Sequence, residues 1–210
     1  MTRLLLATTN PGKQREFGRL LGDLADSVVV PQQLGLALVV PEPHDSYAEN
    51  ATAKAIAYCR VSGLLTLADD SGIEVAALDW GPGVRSARFG GTQVANGAAH
   101  LLEQLTGVTD RRARMVCWLA VAIPGIGPDG TPRAPRVELF SGAVDGSVAL
   151  EQRGNGGFGY DPIFLLPSGV TTAELHETDK DLVSHRGHAV AAALPLLRAL
   201  AAAPDDGTVR

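Results

Sequence analysis

Cysteine is nearly absent: Cys59 and Cys117 are the only two in 210 residues, one in a helix-like and one in a strand-like segment. That excludes a disulfide framework or a zinc pattern and matches the usage of a reducing compartment, so a cytoplasmic location is expected. Positive charge is also scarce. A formal net charge of -5 argues against a nucleic-acid polymer as the main partner, because neutralising many phosphates needs a basic face; a small phosphorylated ligand stays compatible. No stretch approaches membrane-spanning length, and only a brief apolar run follows Arg3, so neither a signal peptide nor an anchor is expected. His44, His100 and His176 lack metal-ligand spacing, and there is no internal repeat and no long polar tract. With 45% hydrophobic residues, the chain can bury one substantial core, and a single domain over 1–203 with a frayed tail at 204–210 is expected.

What the chain does have is strands and helices alternating early, then paired strands, then a closing helix rich in alanine and leucine that Pro195 is expected to kink. That order predicts an α/β fold with a mixed sheet. RLLLAT reads as a buried strand, TTNPGKQ as a tight turn, and Lys13 to Leu21 as a helix. A strand–loop–helix junction presents backbone N–H groups to an anion, here with Thr8, Thr9 and Asn10 as side-chain donors, Pro11 and Gly12 in the turn and Lys13 as countercharge. It is not a Walker loop: no glycine stands at the first position, and Gln14 follows Lys13. An ordinary Asn-Pro-Gly turn is the alternative.

The run LADDSGIEV, Leu67 to Val75, is the most informative segment. Asp69 and Asp70 repel each other, and in an extended segment they point to opposite faces, which predicts different jobs: one holding structure, the other meeting solvent at a metal-dependent site. Ser71 adds a small donor, and Gly72 lets the backbone turn or approach a ligand. In SYAENATAKAIAYC, Ser46 and Glu49 have capping-box spacing for a helix starting near Tyr47. Asn50 and Lys54 then share one face, and burying so polar a pair needs a partner, for which a phosphate would serve. Glu42, between Pro41 and Pro43, sits in a rigid loop that can fix a carboxylate.

Two later segments suggest a flat ligand. In RGNGGFGYDPIF, glycines surround Phe158 and Tyr160, so the backbone, Gly159 included, can fold closely about a base on which Phe158 stacks. A place in the core is the alternative for Tyr160, and Asp161, before Pro162, can brace the turn. In TDKDLVSHRGHAV, Ser184 is a candidate N-cap for a long apolar helix with His185 and Arg186 in its first turn. Cations there oppose the helix dipole, which calls for a compensating ligand; a bound nucleotide would supply it, with Arg186 and Lys180 as donors.

TTNPGK, PEPHDSYAENATAKA, LADDSGIEV, GPGVRSARFGG, GGFGYDPIF and SHRGHAV occur in an order that resembles the RdgB/HAM1 inosine triphosphate pyrophosphatases, from about Arg3 to about Leu197. The resemblance implies an elongated, two-lobed α/β fold around a long mixed, twisted β-sheet of the ITPase-like/Maf-like kind, a homodimer, and a need for Mg2+. It implies a house-cleaning enzyme that hydrolyses ITP, dITP and XTP to monophosphate and pyrophosphate. By the same resemblance, Thr8, Thr9, Asn10, Pro11, Gly12 and Lys13 surround the triphosphate with Lys54 beside it. Asp70 becomes the catalytic carboxylate and, with Glu42, a metal ligand. Ser71, Phe158, Gly159, Tyr160, Asp161, Lys180, His185 and Arg186 become substrate contacts. The chain departs from the pattern at Glu42-Pro43-His44, where Glu-Thr-Gly is common, and at Thr9, where glycine or serine is common. A Maf-like pyrophosphatase of different base preference and a non-hydrolysing nucleotide sensor are the competing readings.

Overall fold

The computed structural model describes residues 3–91, 97–127 and 129–202. The elements run β1 (Leu4–Leu6), α1 (Pro11–Leu20), β2 (Val28–Val29), α2 (Tyr47–Ser62), β3 (Leu65–Val75), β4 (Gly81–Pro82), α3 (Gly97–Gln104), β5 (Arg112–Ile126), β6 (Pro132–Val148), β7 (Phe164–Leu165), α4 (Glu177–Val183) and α5 (His185–Ala202). The strands form one sheet in the order β2-β1-β3-β5-β6-β7, with β4 on β3. Both β2 and β3 pair parallel to β1, whereas β4 pairs antiparallel to β3 and β7 antiparallel to β6. The sheet is therefore mixed, as the alternation of elements predicts.

Several local expectations are met. Ser46 Oγ accepts from Glu49 N at 3.4 Å and Ser184 Oγ from Gly187 N at 2.9 Å, so each caps its helix. Strand β5 runs to Ile126 and β6 starts at Pro132, so both strands reach into the proline- and glycine-rich stretch between them, where Gly127 N donates to Thr131 O at 2.8 Å. Helix α1 begins at Pro11, ahead of the expected Lys13, because Pro at the first helical position leaves no N–H to satisfy and Asn10 caps it. Helix α5 continues past Pro195. The expected frayed tail at 204–210 lies outside the described residues.

The chain divides into two compact units, each discontinuous in sequence. The first comprises 1–70, 118–140 and 189–210, and the second 71–117 and 141–188. In the first unit, Ala51 and Ala55 of α2 pack in a fully buried cluster with Ala68, Ala120 and Ala122. Alanine against alanine lets a helix approach strands closely, and that approach brings the polar side chains of α2 to β3. In the second unit, Ile73, Leu101, Leu105, Ile163 and Phe164, all 0% exposed, belong to a separate core. Truncating any of these larger side chains to alanine is expected to cost about 2–5 kcal/mol.

Candidate active site

The first cluster forms midway along β3, at the two aspartates that its first-unit part carries; the strand does not stop at the acidic pair but runs on to Val75. Asp69 and Asp70 are 1% and 6% exposed, so both are buried and neither meets solvent freely as expected for one of them. Their jobs nevertheless differ. Asp69 Oδ2 pairs with Lys13 Nζ at 2.8 Å. Asp70 Oδ2 accepts from Asn50 Nδ2 at 3.1 Å. Lys54 Nζ donates to the Asp69 carbonyl at 3.1 Å and pairs with Glu42. The partner demanded by the buried Asn50 and the half-buried Lys54 thus comes from the protein itself, through Asp70, Asp69 and Glu42. Lys13, Lys54 and Asp70, expected to converge, do so around one acidic pair inside β3.

Electrostatics follow from the burial. Burial is the largest influence on Asp70 and, with the charge of Glu42, holds its carboxyl above its ordinary pKa; the Asn50 hydrogen bond and the charges of Lys54 and Lys13 oppose that rise. For Lys54, burial is again the largest single influence and favours the neutral amine. The carboxylates of Asp69, Glu42 and Asp70 together outweigh it, so its pKa lies above the ordinary value and the ammonium form is kept.

The turn before α1 is more occupied than its sequence suggests. Asn10 Oδ1 accepts from Gly12 N at 2.8 Å and Lys13 N at 3.2 Å, and Asn10 N donates to Thr8 Oγ1 at 3.2 Å. Two of the N–H groups expected to face an anion are therefore engaged by the cap, and the Asn10 amide nitrogen and Thr9 remain the outward-facing candidates. Asn10 and Thr9 are both exposed.

The second cluster lies within the second unit. Phe158 carries a cation on each of two approaches, Lys180 Nζ at 5.6 Å and Arg186 Cζ at 5.4 Å from the ring centroid. Arg186 Nη2 also donates to Ser71 Oγ at 3.0 Å. Those contacts compensate part of the charge that the helix start opposes. Asp161 braces the turn as expected: its Oδ2 accepts from Phe158 N at 2.7 Å and from Lys180 Nζ at 2.6 Å, and Thr172 Oγ1 donates to its Oδ1 at 2.9 Å. Gly157 is required there, since its φ is +68° and a Cβ would fall 2.1 Å from Asp161 Oδ2. The Lys180 and Asp161 side chains are 5% and 3% exposed, so both are internal supports of the turn. Tyr160 belongs to the core, with its hydroxyl on Ser86 O at 2.8 Å and burial pushing its pKa up to about 12. Its ring is thus engaged away from the exposed side of the turn, and Gly159 beside it has φ +63°. His185 is buried at the first position of α5.

Sequence reasoning missed the reach of Asn50 and the role of Thr172. Asn50 was visible as a polar residue beside Lys54 on an alanine-rich helix face, but Thr172 carries no local signal.

A buried acidic pair answered by lysines, and an aromatic ring flanked by cations, suit an α/β protein that handles a phosphorylated, flat ligand. The chain belongs to the Ham1 family, whose model matches residues 4–196. It is 45% identical over 202 residues to a dITP/XTP pyrophosphatase of Chromobacterium violaceum, covering 95% of this chain and 98% of that one. It is 42% identical to a dITP/XTP pyrophosphatase of Ralstonia nicotianae, covering 94% and 98%. Its fold matches a Ham1 protein structure from Coxiella burnetii with a TM-score of 0.80 at 34% identity, covering 95% of this chain and all of the other, 100%.

Proposed function

We propose that the protein is a house-cleaning pyrophosphatase that hydrolyses dITP, ITP and XTP to the monophosphate and pyrophosphate, removing deaminated purine nucleotides before they enter DNA or RNA. The observation that carries this reading is the convergence of Lys13, Lys54, Glu42 and Asn50 on the Asp69–Asp70 pair of β3, in a chain closely similar to dITP/XTP pyrophosphatases.

Lys13 and Lys54 are the cations for the triphosphate and for the charge that develops on leaving pyrophosphate. Thr8, Thr9, Asn10, Pro11 and Gly12 supply the turn beside Lys13. Asp70 orients the water that attacks the α-phosphorus and takes its proton; a carboxylate held above its ordinary pKa is a better base for that task. Glu42 and Asp70 fit a hard divalent cation such as Mg2+. Both offer carboxylate oxygens, they lie close enough for the charge of Glu42 to raise the Asp70 pKa, and magnesium is commonly held by one or two carboxylates plus substrate phosphate. When bound there, the ion supplies positive charge against the phosphate oxygens and increases the acidity of water.

The base is the ligand of Phe158, Gly159, His185, Arg186 and Ser71, on a turn that Asp161 and Lys180 brace from inside and Tyr160 anchors in the core. Phe158 stacks on it and Arg186 donates to the 6-oxo group of hypoxanthine or xanthine. Adenine carries an amino donor there and would leave the Arg186 donors unpaired, a loss that a buried polar site makes large. The cysteine usage supports a cytoplasmic location, and the family resemblance supports a homodimer, which light scattering after size exclusion checks. Among the described residues no helix is long and apolar enough to cross a membrane.

The deciding experiment is product analysis with ITP and magnesium for the parent and Asp70→Asn, with ATP and pyrimidine triphosphates alongside. Monophosphate plus pyrophosphate from ITP, little turnover of the others and loss of turnover in the variant are expected. Orthophosphate release, or comparable turnover of ATP, would reject the reading; preferred pyrimidine turnover would favour the Maf-like activity.

A further inference from the structure

Asn50 is 1% exposed, and its amide spans two separate segments. Its Oδ1 accepts from His44 N at 3.2 Å, while Nδ2 donates both to His44 O at 3.1 Å and to Asp70 Oδ2 at 3.1 Å. An amide offers one carbonyl acceptor and two N–H donors, so all these bonds can exist together with no polar group left over. The grip on the loop is to backbone atoms on both sides of His44, so it holds the path of the chain two residues after Glu42 and does not depend on the identity of residue 44. That matters because Glu42 lies in a segment without helix or strand bonds of its own, whereas Asp70 is in the β3 ladder. Something must fix the loop relative to the strand, and Asn50, on a helix packed through Ala51 and Ala55, has the rigid base to do it.

We propose that Asn50 is the positioning residue that sets the Glu42 loop against Asp70, so that the two carboxylates are held in register to share one divalent cation. This rests on the reading of Asp70 and Glu42 as the cation-binding pair. Asn50 itself touches neither cation nor substrate. It acts through the Asp70 carboxylate and the His44 backbone, and the same hydrogen bond favours the charged form of Asp70 that a cation needs. Residues that orient a metal's ligands typically change metal affinity or activity about 10–100-fold when removed.

The test compares parent, Asn50→Ala, Asn50→Ser, Asp70→Asn and Glu42→Gln. Two readouts are used: the Mg2+ concentration for half-maximal ITP turnover, and the rise in thermal midpoint with added Mg2+ in the presence of a non-hydrolysable ITP analogue. For Asn50→Ala, a magnesium requirement raised about 10–100-fold is expected, with turnover partly recovered at high magnesium, KM for ITP nearly unchanged at saturating magnesium, and the midpoint rise shifted by the same factor. A merely structural asparagine would lower the midpoint in chelator and leave the magnesium requirement as in the parent; that result overturns the proposal. Asn50→Ser is read where Asn50→Ala does not fold, and failure of both to fold assigns the side chain to structure and likewise overturns it. The underlying reading fails separately, if Asp70→Asn and Glu42→Gln both retain the parent's magnesium requirement.

Discussion

Replacing Lys180 by methionine removes one half of the most deeply buried ion pair among the described residues that the site contains. Lys180 Nζ lies 2.6 Å from Asp161 Oδ2, with side chains 5% and 3% exposed, so the remaining carboxylate would be left in the interior without its countercharge. Breaking such a pair from one side costs about 3–5 kcal/mol. Phe158 N and Thr172 Oγ1 still donate to Asp161, which points to the lower end, about 3 kcal/mol. For a chain of this size each kcal/mol moves the melting midpoint by about 2–4 °C, giving a fall of roughly 6–12 °C. Removing the stranded charge as well, in Lys180→Met with Asp161→Asn, should restore more than half of that fall. Calorimetric melting of the parent, both single variants and the double variant gives the coupling directly. A lysine whose charge serves the substrate and not Asp161 would leave the midpoint of Lys180→Met within about 2 °C of the parent and make the variants additive. That outcome would refute the assignment of Lys180 as an internal support.

Asp70→Asn should raise stability in chelator at neutral pH while abolishing most turnover. Burial holds the folded pKa of Asp70 above 3.8, so the folded chain binds the proton more readily than the unfolded chain, and stability is lost as pH rises from near that value through the folded one. The advantage of the variant should therefore be absent at low pH and grow upward through this window; a denaturation series with a pH-independent difference contradicts it. Arg186→Met loses the bond to Ser71 and the contact with Phe158; with a hydrogen bond to a charged group worth about 1.5–3 kcal/mol, kcat/KM for ITP should drop at least about tenfold, and a variant with unaltered kcat/KM would remove Arg186 from base recognition. Burial pushes the Cys59 thiol up, and Cys117 is also buried and in no disulfide, so neither should react with Ellman's reagent in the native protein; rapid labelling at pH 8 would show otherwise.

The parts legible in the sequence are those whose signal is local. Ser46 and Ser184 announce helix starts because a cap bonds N–H groups within three residues of itself. The unread parts depend on contacts far apart in the chain. Asn50 meets Asp70 across 20 positions and Arg186 meets Ser71 across 115; no window of sequence contains either pair. Asn10 differs from these. Its sequence position predicts a donor to an anion, whereas its Oδ1 caps α1; the oxygen serves the helix, and only the side-chain nitrogen is left for the expected role. Tyr160 is similar, since aromatic residues in a glycine-rich turn can face the core or a ligand, and the hydroxyl partner at Ser86 decides for the core.

The adjacent aspartates illustrate how one strand can assign two roles to one residue type. Alternation along β3 separates their side chains, and each then meets a different supply of charge. Asp69 is answered directly by Lys13 and, through its carbonyl, by Lys54. Asp70 receives a neutral amide, and burial, with a smaller repulsion from Glu42, outweighs that hydrogen bond and the charges of Lys54 and Lys13, which is why its pKa stays high. Counting the first cluster as a whole, three carboxylates face two ammonium groups, so the acidic pair is short of positive charge before any phosphate arrives. A triphosphate brings more negative charge to the same place. On the proposed reading, a cation beside Asp70 and Glu42 would relieve that imbalance, Asp69 would hold Lys13 within reach of the phosphates, and Asp70 would be the carboxylate that acts on the water.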